Sequence, residues 1–418
     1  MDRFIITGGR PLQGSVTVSG AKNSALKILA ATLLLTKPIR LRNVPDLMDI
    51  RTMKRVLQTL GAKIEYNSDE KIMDVDPSGL NSTVAPYELV KTMRASFQVM
   101  GPLLARFGRA EISLPGGCAI GPRPVDFHLK AFREMGAVIT TEHGYIQAVA
   151  SPLHGASIYL DFPSVGATEN VMMAASLTEG ETIIENAARE PEVEDLANFL
   201  NGCGANIQGA GTERIAIQGV SSLEPTEHRI LADRIETGTL LLAACITRSE
   251  LEVVNPPMGA LDTFIEKLRE CGNQFEFSQN SIRVMPSRNP TGIQFTTRPH
   301  PGFPTDLQAP MMAYLTTTEG ISVISEGIYE NRFLHMSELL RMGGKIQLEG
   351  ARALVTGGTP LSGAPVMASD LRGGAALVLA GLAADGRTEV SRVYHIDRGY
   401  ERLEEKLCAL GAQIERIS

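Results

Sequence analysis

The sequence predicts an α/β protein of two globular halves, each assembled from three copies of one unit. Three observations carry that reading. An amphipathic stretch ending at a Gly and running into a short strand recurs six times, as RVLQTLGAKI, KAFREMGAVI, ANFLNGCGANI, EKLRECGNQF, ELLRMGGKI and EKLCALGAQI. Between these copies lies a second kind of helix, rich in small residues and apolar nearly all round. The chain of 418 residues suggests two to four domains at ~100–200 residues each, and six units grouped three and three fall within that range.

The marker glycines Gly61, Gly136, Gly204, Gly272, Gly343 and Gly411 are spaced by 75, 68, 68, 71 and 68 residues. Each has a physical task, because the residue after a helix commonly adopts the left-handed conformation that only glycine enters freely. The helices before them carry apolar residues on one side and should face solvent on the other. The second kind of helix is represented by AKNSALKILAATLLL, RASFQVMGPLLARFG, VGATENVMMAASLTEG, IETGTLLLAACITRS, TDLQAPMMAYLTTTEG and DLRGGAALVLAGLAADG. With no polar face these helices must be buried, and their Ala and Gly let backbones approach closely. Alternating stretches such as TIIEN, ELEVV, ISVIS, TEVSRV, AIQGV and SIRVM read as strands bounded by turn residues. Each unit is thus expected to run helix–strand–helix–strand–strand.

Composition narrows the function classes. Forty basic and 47 acidic side chains leave a net charge of −7, so the chain lacks the basic surplus of a general nucleic-acid or anionic-membrane binder. Any anionic ligand must be met by a local cluster of Lys and Arg. Five Cys without close pairs do not form a secreted disulfide framework. The start, MDRFIITGGR, has no apolar region of a signal peptide, and the longest apolar runs fall short of the ~20 residues that span a bilayer. A reduced, cytoplasmic, globular protein is expected.

Two places in each unit are not explained by a core. At the start of the buried helices stand Lys22 and Asn23, Arg94, Ser164-Val165-Gly166, Arg234, Asp306, and Asp370 with Arg372. In the loops entering the amphipathic helices stand Cys118 and Arg123, Arg189 with Glu190 and Glu192, Arg332, and Arg398. Asp306 and Asp370 can be accounted for as helix caps. Lys and Arg at a helix start oppose the helix dipole, so their repetition needs another reason. Guanidinium groups gathered with helix N-termini recognise phosphate and carboxylate, which points to a multi-anion pocket lined by both halves.

LPGGCAIGPRPVDFH, Leu114 to His128, is the most distinctive segment. Its Gly-rich turn exposes Cys118 near Arg123, and positive charge lowers a thiol's pKa, so Cys118 is the candidate reactive cysteine. Cys203, Cys271 and Cys408 at marker-helix ends, and Cys245 inside a buried helix, are expected to be inert. SGAKNS lacks P-loop spacing, GGCAIG lacks the βαβ setting of a dinucleotide fingerprint, and no HExxH, CxxC or GxSxG occurs, so no metal and no cofactor is expected. His300 and His395, in RPHPGFPTD and YHIDRGYER, read as structural residues, with contact to ligand as the alternative.

SGAKNSAL, TMRAS, LPGGCAIGPRPVD, DFPSVGATEN, NAAREPEVEDLANFL, DRIETGT, RPHPGFPTDLQAP, YENRFLH, ASDLR and YHIDRGYERLEEKL closely resemble the UDP-N-acetylglucosamine enolpyruvyl transferases, in order and from one end of the chain to the other. The resemblance implies a two-domain inside-out α/β barrel of six repeats, three per domain, with the active site in the interdomain cleft. It assigns residues 22–229, with the Cys118 loop, to one domain and residues 1–21 plus 230–418 to the other. The implied reaction moves the enolpyruvyl group of phosphoenolpyruvate to the 3′-hydroxyl of UDP-N-acetylglucosamine, releasing phosphate by addition and elimination. It is the first committed step of peptidoglycan synthesis.

Cys118 matches the family's general acid toward the enol methylene, a thiol open to the epoxide antibiotic fosfomycin. Asp306 matches the carboxylate at the sugar hydroxyl, as base or as ligand. Lys22, Asn23, Arg123, Arg372 and Arg398 match residues that hold phosphoenolpyruvate. Arg94, Arg123, Pro124, Val125, Asp126, Phe127, Ser164, Val165, Gly166, Asp306 and Ile328 match contacts to the nucleotide sugar. Two positions depart: Phe162 stands where some relatives have a basic residue near the diphosphate, and Gln98 where some have Trp. The implied partners are these two small molecules, with no nucleic acid, membrane or obligate protein partner. The alternatives are enolpyruvyl transfer to shikimate-3-phosphate, which the Cys118 loop argues against, and a silent paralogue that only binds nucleotide sugar.

Overall fold

The computed structural model describes residues 2–91, 93–114, 125–329 and 331–418. They divide into two compact units, one made of residues 2–19 and 232–418, the other of the described residues between 20 and 231. Each has its own hydrophobic core.

Among the described residues the strands form six four-stranded sheets, three in each unit. One sheet shows the shared plan. The edge strand Ser157–Tyr159 runs parallel to Glu181–Glu185, which pairs antiparallel with Arg214–Gln218, which in turn pairs antiparallel with Asn206–Gln208. Alternation selects the strand Glu181–Glu185: Thr182 and Ile184 are buried, while Glu181 faces solvent. The expected helix–strand–helix–strand–strand unit therefore omits one element, the short parallel edge strand. Its copies are two or three residues long, as at Val84–Ala85, His228–Arg229 and Gln294–Thr296. Such a strand is too short to show a period and exists only because a neighbour supplies its hydrogen bonds.

Two sheets are completed by distant sequence. Ser15–Thr17 supplies the edge strand beside Leu251–Val254, and His228–Arg229 supplies the one beside Ile39–Arg42. The N-terminal strand Arg3–Thr7 fills the inner place between Arg387–Ser391 and Gln413–Ile417.

All six marker glycines have positive φ, from 90° at Gly343 to 109° at Gly61. The helices of the second kind are buried: every residue of Arg234–Ile246 and of Gln308–Leu315 is inside. Those two pack on each other and on Leu371–Ala383, so the middle of this unit is helical. In the other unit Met100–Phe107 lies against Val165–Ala175, and Lys22–Ala31 packs on the 3-10 turn Arg94–Val99. Gly101 shows why small residues are needed. A Cβ there would sit 2.3 Å from the carbonyl oxygen of Asn170, whose side-chain oxygen accepts from the Gly101 N–H at 2.8 Å.

Cys203, Cys245 and Cys271 are buried, and burial pushes the Cys203 thiol up and that of Cys271 to about 12. Cys408 is exposed, on the helix Leu403–Ala409. Among the described residues no helix is long and apolar enough to cross a membrane.

Candidate functional site

In the unit formed by 2–19 and 232–418, two of the arginines singled out, Arg332 and Arg372, meet on one carboxylate, that of Asp306. Asp306 lies in the 3-10 turn Thr305–Leu307 that leads into the buried helix Gln308–Leu315. Its Oδ1 accepts from Arg332 Nη2 at 2.6 Å, and its Oδ2 from Arg372 Nη2 at 2.8 Å and Nε at 3.2 Å. Both arginine side chains are only 4% exposed, but that of Asp306 is 27% exposed, so an incoming ligand can reach the carboxylate. Burial alone would raise the pKa of Asp306. The guanidiniums of Arg372 and Arg332 overcome that and hold it well below the usual carboxylate range. A carboxylate held in this way is a strong hydrogen-bond acceptor but a weak base.

The helix starts explain how these groups are held. Asp370 caps Leu371–Ala383, its Oδ1 accepting from the backbone N–H of Arg372 at 2.9 Å and of Gly373 at 3.0 Å. Asp306 does not act as a cap; its side chain is committed to the arginines. The Arg372 guanidinium lies over the Tyr400 ring, 5.3 Å from its centroid, and the Tyr400 hydroxyl is 3.0 Å from Thr239 Oγ1. Arg332 and Arg372 each retain an Nη1 without a hydrogen-bond acceptor among the described residues. This excess of cationic donors suits an anion. Arg398 ends the turn Val393–Arg398, which packs on the Arg372 helix and carries the half-buried His395. Ile328 sits in the loop after Ile321–Ser325, its N–H donated to Glu326 at 2.8 Å.

In the other unit, Lys22 and Asn23 open the helix Lys22–Ala31, and Lys22 Nζ is 2.6 Å from the buried carboxylate of Asp49. One turn deeper, Lys27 pairs at 3.3 Å with Glu169 of Val165–Ala175. Burial pushes Glu169 up to about 7 against the pull of Lys27. Ser164 caps Val165–Ala175 by accepting from the Ala167 N–H at 3.3 Å.

Under this turn Gln98 Nε2 donates to the Gly166 carbonyl at 3.1 Å, and His128 stands beside it, 3.0 Å from Asn170 Nδ2 through its Nδ1. A Cβ on Gly166 would come within 3.0 Å of Gln98 and 3.3 Å of His128. Burial, with Arg94 assisting, pushes His128 down to about 3, so it stays neutral. Arg94 opens the turn Arg94–Val99 that packs on both helices. Val125 is buried, Phe127 is half-buried, and Asp126 is an exposed first residue of Asp126–Glu134. Phe162 is 38% exposed. Cys118, Arg123 and Pro124 lie outside the described residues.

Arg332, singled out from sequence only for its place in a loop entering a helix, gains a role from its bond to Asp306. The structure adds Tyr400, Glu326, Asp49, Lys27, Glu169 and His128. These six read as ordinary residues of helices, strands and loops, because what marks them is a partner far away in the chain.

The family described as EPSP synthase (3-phosphoshikimate 1-carboxyvinyltransferase) matches residues 6–407. UDP-N-acetylglucosamine 1-carboxyvinyltransferase 2 of Carboxydothermus hydrogenoformans is 55% identical, with all of both chains covered. UDP-N-acetylglucosamine 1-carboxyvinyltransferase of Geobacter metallireducens is 53% identical over the full length of both. Among solved structures, the enolpyruvyl transferase NikO from Streptomyces tendae superposes with a TM-score of 0.91 at 27% identity, covering 99% of this chain and 98% of its own. EPSP synthase from Acinetobacter baumannii, at 18% identity and a TM-score of 0.79 over all of both chains, shares the fold.

Proposed function

Since the chain belongs to the EPSP synthase family, and within it to the UDP-N-acetylglucosamine 1-carboxyvinyltransferases, we propose that it transfers the enolpyruvyl group of phosphoenolpyruvate to the 3′-hydroxyl of UDP-N-acetylglucosamine, with release of phosphate. The observation that carries this reading is Asp306, partly open to ligand and held by two buried arginines. It joins an acceptor for a sugar hydroxyl to cations for a small molecule bearing both a phosphate and a carboxylate.

In the addition step the sugar oxygen bonds to C2 of phosphoenolpyruvate while C3 takes a proton from Cys118, giving a tetrahedral ketal. In the elimination step C3 returns a proton to the Cys118 thiolate and the C2–O bond to phosphate breaks, its electron pair leaving with phosphate, which restores the double bond in the product. Lys22, Asn23, Arg123, Arg372 and Arg398 hold the phosphate and carboxylate groups, where preorganised positive charge lowers the barrier. Asp306 orients the hydroxyl. When phosphoenolpyruvate draws on Arg372, the carboxylate loses part of its hold and becomes more basic, which suits it to take the hydroxyl proton. Arg94, Arg123–Phe127, Ser164–Gly166, Asp306 and Ile328 receive the nucleotide sugar, on a floor of Gln98 and His128.

The two domains of this reading are residues 22–229 and residues 1–21 with 230–418, each an inside-out barrel of three repeats, and the enzyme works in the cytoplasm on small molecules. The test is phosphate release from phosphoenolpyruvate with UDP-N-acetylglucosamine, with shikimate-3-phosphate, and with neither. Release should need the nucleotide sugar. Cys118→Ala should abolish turnover at neutral pH with the fold intact, and a wild-type rate in that variant would remove Cys118 as the acid.

A further inference from the structure

The loop after Ile321–Ser325 is organised by a residue that no sequence motif singles out. Glu326 is buried, and its carboxyl group receives bonds from three separate stretches of chain. Thr297 Oγ1, just beyond the edge strand Gln294–Thr296, lies 2.7 Å from Oε1. Thr305 Oγ1, the neighbour of Asp306, lies 3.1 Å from Oε1 and 3.0 Å from Oε2. The backbone N–H groups of Ile328 and Tyr329 reach Oε1 at 2.8 and 3.2 Å. Thr297 Oγ1 also accepts from the Gly327 N–H at 2.9 Å, so three successive amides of the loop are tied to one carboxyl and its hydroxyl partner.

We propose that Glu326 is a positioning residue for the transfer: it fixes the turn carrying Asp306 and the loop carrying Ile328 in one arrangement, and so sets how the acceptor hydroxyl meets the carboxylate. The proposal rests on the reaction assigned above. Two physical points favour it over a role in stability alone. The carboxyl spends every one of its described bonds on the two segments that bear Asp306 and Ile328 and on the threonine that braces the second. From the far side, Arg332 holds Asp306 at 2.6 Å, so the carboxylate is fixed through its own side chain and through its neighbouring residue. Loss of one anchor leaves the other in place, which displaces the group rather than unfolding it.

The bonding pattern also predicts which substitution is tolerated. Four of the five hydrogen bonds reach Oε1, which a Gln amide oxygen reproduces, and the amide N–H₂ at the Oε2 position can donate to the Thr305 hydroxyl. Ala reproduces none of this.

Kinetics and amide exchange of wild type, Glu326→Ala, Glu326→Gln and Thr305→Val test the proposal. In Glu326→Ala, kcat/KM for UDP-N-acetylglucosamine should fall by about 100-fold, the scale of an ~1 Å misplacement. The KM for phosphoenolpyruvate should move by less than about threefold, because none of the cations assigned to it is among the described partners of Glu326. Exchange at the Ile328 and Tyr329 amides should speed up. Glu326→Gln should stay within about threefold of wild type, since its bonds survive. Thr305→Val, which cuts the single link to the Asp306 turn, should lose about tenfold in the same direction, and it decides the matter if Glu326→Ala does not fold. Equal kcat/KM in wild type and Glu326→Ala, or in wild type and Thr305→Val, would overturn the positioning role, as would a Glu326→Gln enzyme as impaired as Glu326→Ala. Unchanged exchange at Ile328 and Tyr329 would overturn the anchoring. A wild-type enzyme inactive on the nucleotide sugar would instead overturn the reaction assigned above and this proposal together, a result no variant is needed to see.

Discussion

At Asp306 two opposite demands meet in one side chain. The guanidiniums that keep it ionised and oriented also make it a poor base, so its usefulness to catalysis depends on what else those arginines bind. Asp306→Asn preserves the shape and removes the charge. It should cut turnover by at least about 100-fold, the range for losing a positioned proton acceptor. It should also destabilise the fold at neutral pH, because Arg332 and Arg372 are buried and would lose their counter-charge. The sign of the pH dependence follows from the depressed pKa. The stabilisation is present above the ordinary carboxyl value and is lost as pH falls through the lowered one. Urea unfolding of both proteins should therefore show the gap closing in strong acid, and a gap constant with pH would exclude the ion pairs as its source.

At the scale of elements, the buried helices combine close packing with a few costly polar pairs. Gly101 and the other small residues let backbones meet, and the same tight setting strips water from Lys27 and from Glu169, which is 0% exposed. Because burial pushes Glu169 up to about 7, the stability it contributes as a neutral group is present below the ordinary carboxyl value and fades as pH rises through 7. Lys27 limits that loss by pairing with the ionised form. Lys27→Met should then destabilise by about 3–5 kcal/mol at pH 8, the cost of leaving one member of a buried pair alone. At pH 5, where Glu169 holds its own proton, the effect should be much smaller. Chemical denaturation at the two pH values measures this, and equal losses at both would exclude the pairing. The pair also ties the helix that begins with Lys22 and Asn23 to the one that begins at Val165, so the first turns of both inherit its rigidity.

At the scale of the whole molecule, connectivity differs between the two units. The described residues between 20 and 231 form a unit with its own core and three sheets, and even its edge strand His228–Arg229 comes from within. The other unit is split. Without Arg3–Thr7, the sheet of Arg387–Ser391 and Gln413–Ile417 loses an inner strand, and without Ser15–Thr17 another loses its edge. A fragment of residues 20–231 should therefore unfold cooperatively in urea, with near-ultraviolet circular dichroism of fixed packing. A fragment of 232–418 should lack that packing until residues 1–19 are restored. Cooperative unfolding of 232–418 alone would show that the N-terminal strands are dispensable.

Local chemistry made much of this legible in advance. Marker helices ending in glycine, buried helices with no polar face, and alternating strands each follow from rules acting over a few residues, and all six marker glycines have the left-handed φ that their position requires. Basic residues at helix starts were conspicuous because they oppose the dipole there, and Lys22, Arg94, Arg234 and Arg372 all lie in the first turns of helices. What tertiary structure alone decided are the features whose cause lies far away in the chain. The two- and three-residue edge strands exist only beside a neighbour, and Arg3–Thr7 closes a sheet with residues nearly 400 positions away. Glu326, Asp49 and Glu169 gain their roles from partners 20 to about 140 residues distant. Sequence by itself determined which segments become helix and strand and which side chains resist burial. The fold decided which of those side chains meet, because an ion pair or a hydrogen bond depends on distances of a few ångströms that no local pattern encodes.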